Sequence, residues 1–310
     1  MRIHTATTAG RPAPFGRTLT AMVTPFDADG ALDLDAAATL AAHLVDRGND
    51  GLVVNGTTGE SGTTSDAEKE ALLRVVLGAV GDRAWVIAGV GTNDTRHTIE
   101  LARAAEQAGA HGLLVVTPYY SKPPQDGLLA HFRAVADATG LPVMTYDIPG
   151  RTGTPLHTET LLRLAEHPRI VANKDAKGDL TAATHVMAGS DLAYYSGEDA
   201  LTLPLLSVGA VGVVSVTGHL VADRIAAMIE AYDAGRVATA REIHTGLAPV
   251  TVEVMTRMQG AVAVKTALSL TGVLPHPTVR LPLVAPTATA TETLRAGLDA
   301  AGVLSTAATL

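Results

Sequence analysis

Gly109-Ala-His-Gly112-Leu-Leu-Val-Val116 decides the fold, because the chain writes the same phrase twice more, as Gly48-Asn-Asp-Gly51-Leu-Val-Val54 and Gly209-Ala-Val-Gly212-Val-Val214. A glycine just past a helix can take the left-handed cap, and a second one lets the chain turn tightly into a strand. The phrase is therefore a helix-to-strand turn, and its recurrence means that one structural unit has been reused. The strands it opens are aliphatic at successive positions instead of alternate ones, as expected for a parallel sheet covered on its outer face by helices.

Outward from these three points, strand candidates fall at 18–25, 51–55, 85–90, 112–117, 142–147, 169–174, 192–196 and 211–216, with helix-period segments between most of them, the first over Leu32 to Asp46. Eight units spaced roughly 20 to 35 residues apart predict an α/β fold, a (β/α)8 TIM barrel, more economically than an open sheet. A dinucleotide-binding sheet is the competing fold. Gly89-Val-Gly91 after a strand hints at it, but Asp94 stands where the third glycine belongs. Gly56-Thr-Thr-Gly-Glu-Ser61 lacks the Gly-Lys-Ser/Thr ending of a phosphate loop. Beyond about Arg236 the strand pattern stops; 237–272 and 287–304 read as helical, with the proline-rich Leu274 to Pro286 between them. The expected organisation is a barrel over 1–236 carrying the catalytic site, with a C-terminal helical extension over 237–310.

Composition narrows the chemistry. The chain is 47% hydrophobic but only 3% aromatic, so its core must be built from Ala, Val, Leu and Ile. A net charge of −8 without a long basic run argues against nucleic acid and against an anionic membrane surface. The lack of cysteine excludes disulfides, thiolate nucleophiles, iron–sulfur clusters and cysteine-ligated zinc. Met1 to Arg17 holds no apolar signal core and no later run reaches about 18 uninterrupted apolar residues, so a cytoplasmic protein without a membrane span is expected. The eleven histidines are scattered with no His-x-x-x-His pair, and no metal is assigned to them.

In such a barrel the reacting groups come from the C-terminal ends of the strands and the loops that follow. Arg169-Ile-Val-Ala-Asn-Lys174 delivers an amine to one of these ends, although a lysine there is ordinarily a solvated edge charge. Tyr146 ends the preceding strand, so the two side chains can converge inside the mouth. Thr57 and Thr58, between glycines, suit a turn; paired hydroxyls and free backbone N–H groups also make a carboxylate cradle. Glu60 is given no task beyond neutralising that loop. Tyr119 and Tyr120 lie in a loop braced by Pro118, Pro123 and Pro124, and Arg151 suits either a surface ion pair or a bidentate grip on a carboxylate. Ser65-Asp-Ala-Glu68 reads as a capping box. An amine among tyrosines, threonines and an arginine, without thiol, metal or nucleotide loop, suits imine chemistry on a keto acid. A free lysine is only about one part in a thousand neutral at pH 7.4, so the site must lower its pKa.

Gly56-Thr-Thr-Gly-Glu-Ser61, Thr117-Pro-Tyr-Tyr120, Tyr146-x-x-Pro-Gly-Arg151-Thr152, Lys174-Asp-Ala176 and Gly212-Val-Val-Ser-Val-Thr217 together resemble the dihydrodipicolinate synthase family, whose superfamily includes the N-acetylneuraminate lyases. The resemblance runs from about Leu19 to Pro286. It implies a Schiff-base lyase of class I aldolase type that condenses pyruvate with aspartate semialdehyde in the diaminopimelate and lysine pathway, with no cofactor beyond the imine on Lys174. By the same similarity Thr58 holds the pyruvate carboxylate, Tyr146 moves protons through a relay of Thr57 and Tyr120, Arg151 binds the aldehyde's carboxylate, and Gly197 and the backbone at Val214 line the pocket. The tyrosine at 120 would cross a dimer interface, which implies a homo-oligomer, typically a tetramer. Ser61, Asn93 and Tyr119 match the family's lysine-inhibition site, whereas Asp66, Lys69 and His97 depart from it, so weak feedback inhibition is expected. Another pyruvate-dependent aldolase, acting on N-acetylneuraminate or a 2-keto-3-deoxy sugar acid, is the nearest alternative. A catalytically dead barrel that senses a keto acid is a more distant one.

Overall fold

The computed structural model describes residues 6–8 and 11–304; positions 1–5, 9–10 and 305–310 of the expected barrel and helical parts lie outside the described residues. Eight parallel strands close into a barrel: β1 (Thr18–Ala21), β2 (Gly51–Val54), β3 (Trp85–Gly89), β4 (Gly112–Val116), β5 (Val143–Asp147), β6 (Ile170–Asp175), β7 (Ala193–Ser196) and β8 (Gly212–Ser215). Each pairs with its successor and β8 pairs with β1, Val213 opposite Thr18, so the predicted (β/α)8 architecture is the observed one. A short antiparallel hairpin, Ala6–Thr8 with Arg11–Ala13, precedes β1.

The continuous aliphatic runs have a direct cause. Val53 points with Leu19, Ile87 and Leu114 into a small core inside the barrel, while Leu52 and Val54 join a larger core between the strands and the surrounding helices. Both faces of β2 are thus apolar and dry. The recurring turn works as its residues suggest: Gly48, Gly109 and Gly209 have φ of +97°, +92° and +112°. Its second glycine answers to space, since a Cβ on Gly212 would overlap the carbonyl of Arg17 on the adjoining segment. The floor of the barrel is plugged by Phe15, whose N–H donates to the Tyr195 hydroxyl at 3.2 Å.

Element boundaries differ from expectation where side chains intervene. The first strand ends at Ala21 instead of Pro25, because the Val23 N–H donates to His219 Nε2 at 3.1 Å and leaves the ladder. The helix expected over 237–272 is two, Val237–Met255 and Gly260–Leu270. The Gln259 side chain restarts it by accepting from the N–H groups of Ala261 and Val262 at 2.6 and 3.2 Å. A last helix spans Ala288–Ala300. Val250, Val264, Leu268, Leu294 and Leu298 of these helices belong to the same outer core as the strands, so this extension is packed against the barrel by continuous apolar contact. The Ser65–Glu68 capping box opens helix Asp66–Val80. Among the described residues no helix is long and apolar enough to cross a membrane.

Gly212→Ala is expected to lower stability by about 2 kcal/mol, because backbone and not a flexible side chain occupies the space. Gly78→Ala, inside helix Asp66–Val80 with nothing within 4 Å, is expected to raise it by roughly 0.5–1 kcal/mol. Urea unfolding midpoints of the two variants would read opposite signs.

Candidate active site

Strand β6 carries Lys174 to the mouth, and the register places it beside Tyr146 on β5 and Tyr195 on β7. The side chain turns inward and is only 5% exposed. Its Nζ lies 4.1 Å from the centroid of the Tyr146 ring, close enough for the ring's negative face to interact with the ammonium form. Burial nonetheless dominates, pushing the amine down to about 8; Asp199 and Glu198 oppose that shift and Arg151 reinforces it. Burial also pushes the Tyr146 phenol above its ordinary range, so it stands protonated as a potential donor, Arg151 opposing and Glu198 adding to the shift. The half-buried Glu198 carboxyl is raised too, first by burial and then by Asp199.

The countercharge is fixed in place. Asp199 accepts from the Ser215 hydroxyl and from the backbone N–H groups of Val216 and Thr217 at 3.0 and 3.1 Å, all at the end of β8. Gly197, just after β7, approaches β6 so closely that its N–H donates to the Asp175 carbonyl at 2.6 Å. A Cβ there would stand 3.0 Å from both that oxygen and the Ala176 side chain.

These residues face a cavity of about 470 Å³. Lys174, Tyr146, Thr57, Thr58, Arg151, Gly197 and Glu198 line it, with Val216 and, from the C-terminal extension, Met255, Met258, Gln259 and Gly260. The loop after β2 is closed by Glu60 N–H to the Thr57 carbonyl at 3.1 Å and Ser61 N–H to the Gly56 carbonyl at 3.3 Å. No acceptor among the described residues takes the N–H of Thr57 or Thr58. The cavity therefore offers an amine of lowered basicity, a protonated phenol, two hydroxyls with unclaimed N–H groups, and a guanidinium at its rim.

Six of the eight sequence-predicted site residues meet in this one cavity. The other two do not. Val214 is fully buried in the barrel interior, and Val216, two residues on, lines the cavity instead. Tyr120 is 90% exposed, with φ of +73°, and lines a neighbouring cavity of about 660 Å³ that shares Thr57 and Arg151 with the first. Ser61, Asp66, Lys69, Asn93, His97 and Tyr119 line that second cavity as well. Of the other lysines, Lys177 pairs with Asp147 at 3.3 Å, Lys122 is exposed, and Lys265 is buried against Glu60. Sequence reasoning missed the wall supplied by Met255 to Gly260 and the pairing of Lys265. A signal for the latter was present: Gly260-Ala-Val-Ala-Val-Lys265-Thr-Ala-Leu-Ser-Leu270 holds one charge in an otherwise uncharged helix, which marks a buried, partnered lysine.

A closed parallel barrel whose mouth is centred on a desolvated amine is the architecture of a lysine-dependent (β/α)8 lyase. The dihydrodipicolinate synthetase family matches residues 14–301, and the chain belongs to that family. It is 67% identical over 296 residues to the 4-hydroxy-tetrahydrodipicolinate synthase of Acidothermus cellulolyticus, covering 96% of each chain. With 4-hydroxy-tetrahydrodipicolinate synthase 2 of Streptomyces coelicolor it shares 65% identity over 298 residues, 96% of this chain and 99% of the relative. The crystal structure of the Cyanidioschyzon merolae enzyme of this family with lysine bound superposes with a TM-score of 0.90 at 45% identity, over 94% and 99% of the two chains. The family expected from the motifs is thus the family found.

A lowered lysine pKa also predicts a stability effect. Below pH 8 the amine is protonated both folded and unfolded, and its burial cost is present in full. Between about 8 and the unfolded value near 10.5 the unfolded chain binds more protons, so stability rises with pH and the cost disappears. Lys174→Met should therefore be more stable than wild type by up to about 3 kcal/mol at pH 7, the gap closing by pH 10 in urea titrations.

Proposed function

We propose that this chain is a 4-hydroxy-tetrahydrodipicolinate synthase, a lyase of class I aldolase type that condenses pyruvate with L-aspartate 4-semialdehyde in diaminopimelate and lysine synthesis. The observation that carries this reading is the buried Lys174 amine, lowered to about 8 and set over the Tyr146 ring at the wall of a cavity that also holds Thr57, Thr58 and Arg151. At a pKa of 8 about one fifth of the amine is neutral at pH 7.4, a gain of roughly two hundredfold over a free lysine.

The neutral Nζ attacks the C2 carbonyl of pyruvate, and loss of water leaves a protonated imine; no other cofactor is invoked. That imine withdraws electrons from the adjacent methyl group, whose proton leaves to give an enamine nucleophile. The enamine carbon attacks the aldehyde carbon of the semialdehyde. Tyr146 handles protons in these steps, with Thr57 and Tyr120 as relay to solvent. The Thr57–Thr58 loop holds the pyruvate carboxylate through its hydroxyls and N–H groups, and Arg151 binds the carboxylate of the second substrate. Gly197 keeps the wall close, and Val214 supports it from inside the barrel.

Tyr120 serves this relay only if a second copy brings it over a neighbouring mouth. A ring 90% exposed on a strained backbone supports such a partner, and we propose a homo-oligomer, a tetramer formed as a dimer of dimers, working in the cytoplasm. For feedback control, Lys69 projects into the second cavity, held by the Thr64 carbonyl at 2.5 Å and Asp66 at 3.7 Å, and His97 pairs with Asp66 at 2.9 Å. An ammonium already present there opposes a lysine ligand, so weak inhibition is expected; a sub-millimolar lysine inhibition constant would refute this.

Borohydride reduction in the presence of pyruvate, followed by peptide mass mapping, should place an adduct on Lys174 and none in Lys174→Ala. A label on Lys177, Lys122 or Lys265 instead overturns the assignment. Arg151→Ala should lose most turnover of aspartate semialdehyde, by about a hundredfold or more, while imine formation stays near normal. Faster turnover of N-acetylneuraminate or 2-keto-3-deoxygluconate than of aspartate semialdehyde would favour the sugar-acid aldolases instead.

A further inference from the structure

Glu60 is a buried carboxylate in the loop that carries Thr57 and Thr58, and its backbone is left-handed at φ +55°. A non-glycine residue persists there only when its surroundings over-determine it. Both of its carboxylate oxygens are claimed from the C-terminal extension. Lys265 Nζ reaches Oε1 at 2.5 Å, and the Arg280 N–H donates to Oε2 at 2.9 Å. Lys265 also donates to the Thr278 carbonyl at 2.8 Å and sits 4.1 Å above the Phe26 ring; it is fully buried. The Arg280 guanidinium, 4.1 Å from the same ring centroid, donates to the Thr63 carbonyl at 3.0 Å and pairs with Glu68 at 2.6 Å. The helix that holds Lys265 begins at Gly260, which lines the catalytic cavity. One helix therefore touches both the cavity and, through Lys265, the loop after β2.

We infer that Lys265 and Arg280 are positioning residues for the reaction, holding the Thr57–Thr58 loop in its anion-receiving shape through the carboxylate of Glu60. The inference rests on the reading of that loop as the pyruvate carboxylate cradle. A role confined to stability would lower thermal stability and leave the pyruvate affinity of the folded enzyme unchanged.

The test measures borohydride trapping of full-length chain against pyruvate concentration, together with kcat and KM for each substrate, in E60Q, K265M and the double variant E60Q/K265M. Half-saturating pyruvate is expected to rise about tenfold or more in each, with a smaller fall in kcat and an unchanged KM for aspartate semialdehyde. R280A removes the guanidinium but keeps the N–H that Glu60 uses, so a rise of only about two- to fivefold is expected. If K265M fails to fold with Glu60 unpaired, the double variant, which leaves neither charge buried alone, reads the same quantity. Folded variants that trap pyruvate with wild-type half-saturation overturn this inference alone. A wild-type chain that forms no adduct with pyruvate overturns the function proposed above, and this inference with it.

Discussion

Taking one amine out of water is the constraint around which the mouth of this barrel is arranged. A fully exposed lysine at the end of β6 would be an ordinary cation; 5% exposed, it is an amine near neutrality. That shift is held in bounds by Asp199, itself anchored by two backbone N–H groups and a hydroxyl at the end of β8, and by the face of the Tyr146 ring. Without these only Glu198 would oppose the desolvation penalty; with a closer carboxylate the amine would be pinned in its charged form. Parallel strands make the balance feasible, because adjacent C-terminal ends bring β5, β6, β7 and β8 to one small volume.

The architecture was legible because the barrel repeats its own punctuation. Gly48, Gly109 and Gly209 mark places where only a left-handed cap ends a helix, and such a constraint shows in any reading of the chain. Strand boundaries were legible only to within a few residues. Val23, apolar and apparently continuous with β1, leaves the ladder because of a histidine nearly two hundred positions later, which no local pattern records. The break before Gly260 was invisible for a similar reason: Gln259 caps a helix through its own side chain, and glutamine seldom advertises that task.

The site divides along the same line. Tyr146 and Lys174 stand next to last in their strands, and Thr57, Thr58, Arg151 and Gly197 lie in the segments after strands, so the fold alone predicts that they share a mouth, and they do. Val214 illustrates the limit: it too stands next to last in its strand, yet its side chain packs inside the barrel, and Val216 reaches the cavity instead. Contributions from outside the repeat had no such rule to reveal them. The cavity wall at Met255 to Gly260 and the Glu60–Lys265 pair join segments that are distant in sequence, and helical periodicity says nothing about where an appended helix docks. The C-terminal extension is a structural partner of the loop after β2.

The seam between β8 and β1 has a bearing on how the molecule comes into being. Thr18 leaves the ribosome early, yet its partner Val213 is made only after nearly the whole barrel has been synthesised. Until then both margins of the growing sheet expose unpaired amides and carbonyls to whatever chain lies nearby. The helices that wall the mouth and hold Glu60 emerge later still. A nascent chain that stops short of residue 280 therefore lacks the N–H that holds Glu60, and the loop after β2 gains its full support only once that residue has been made.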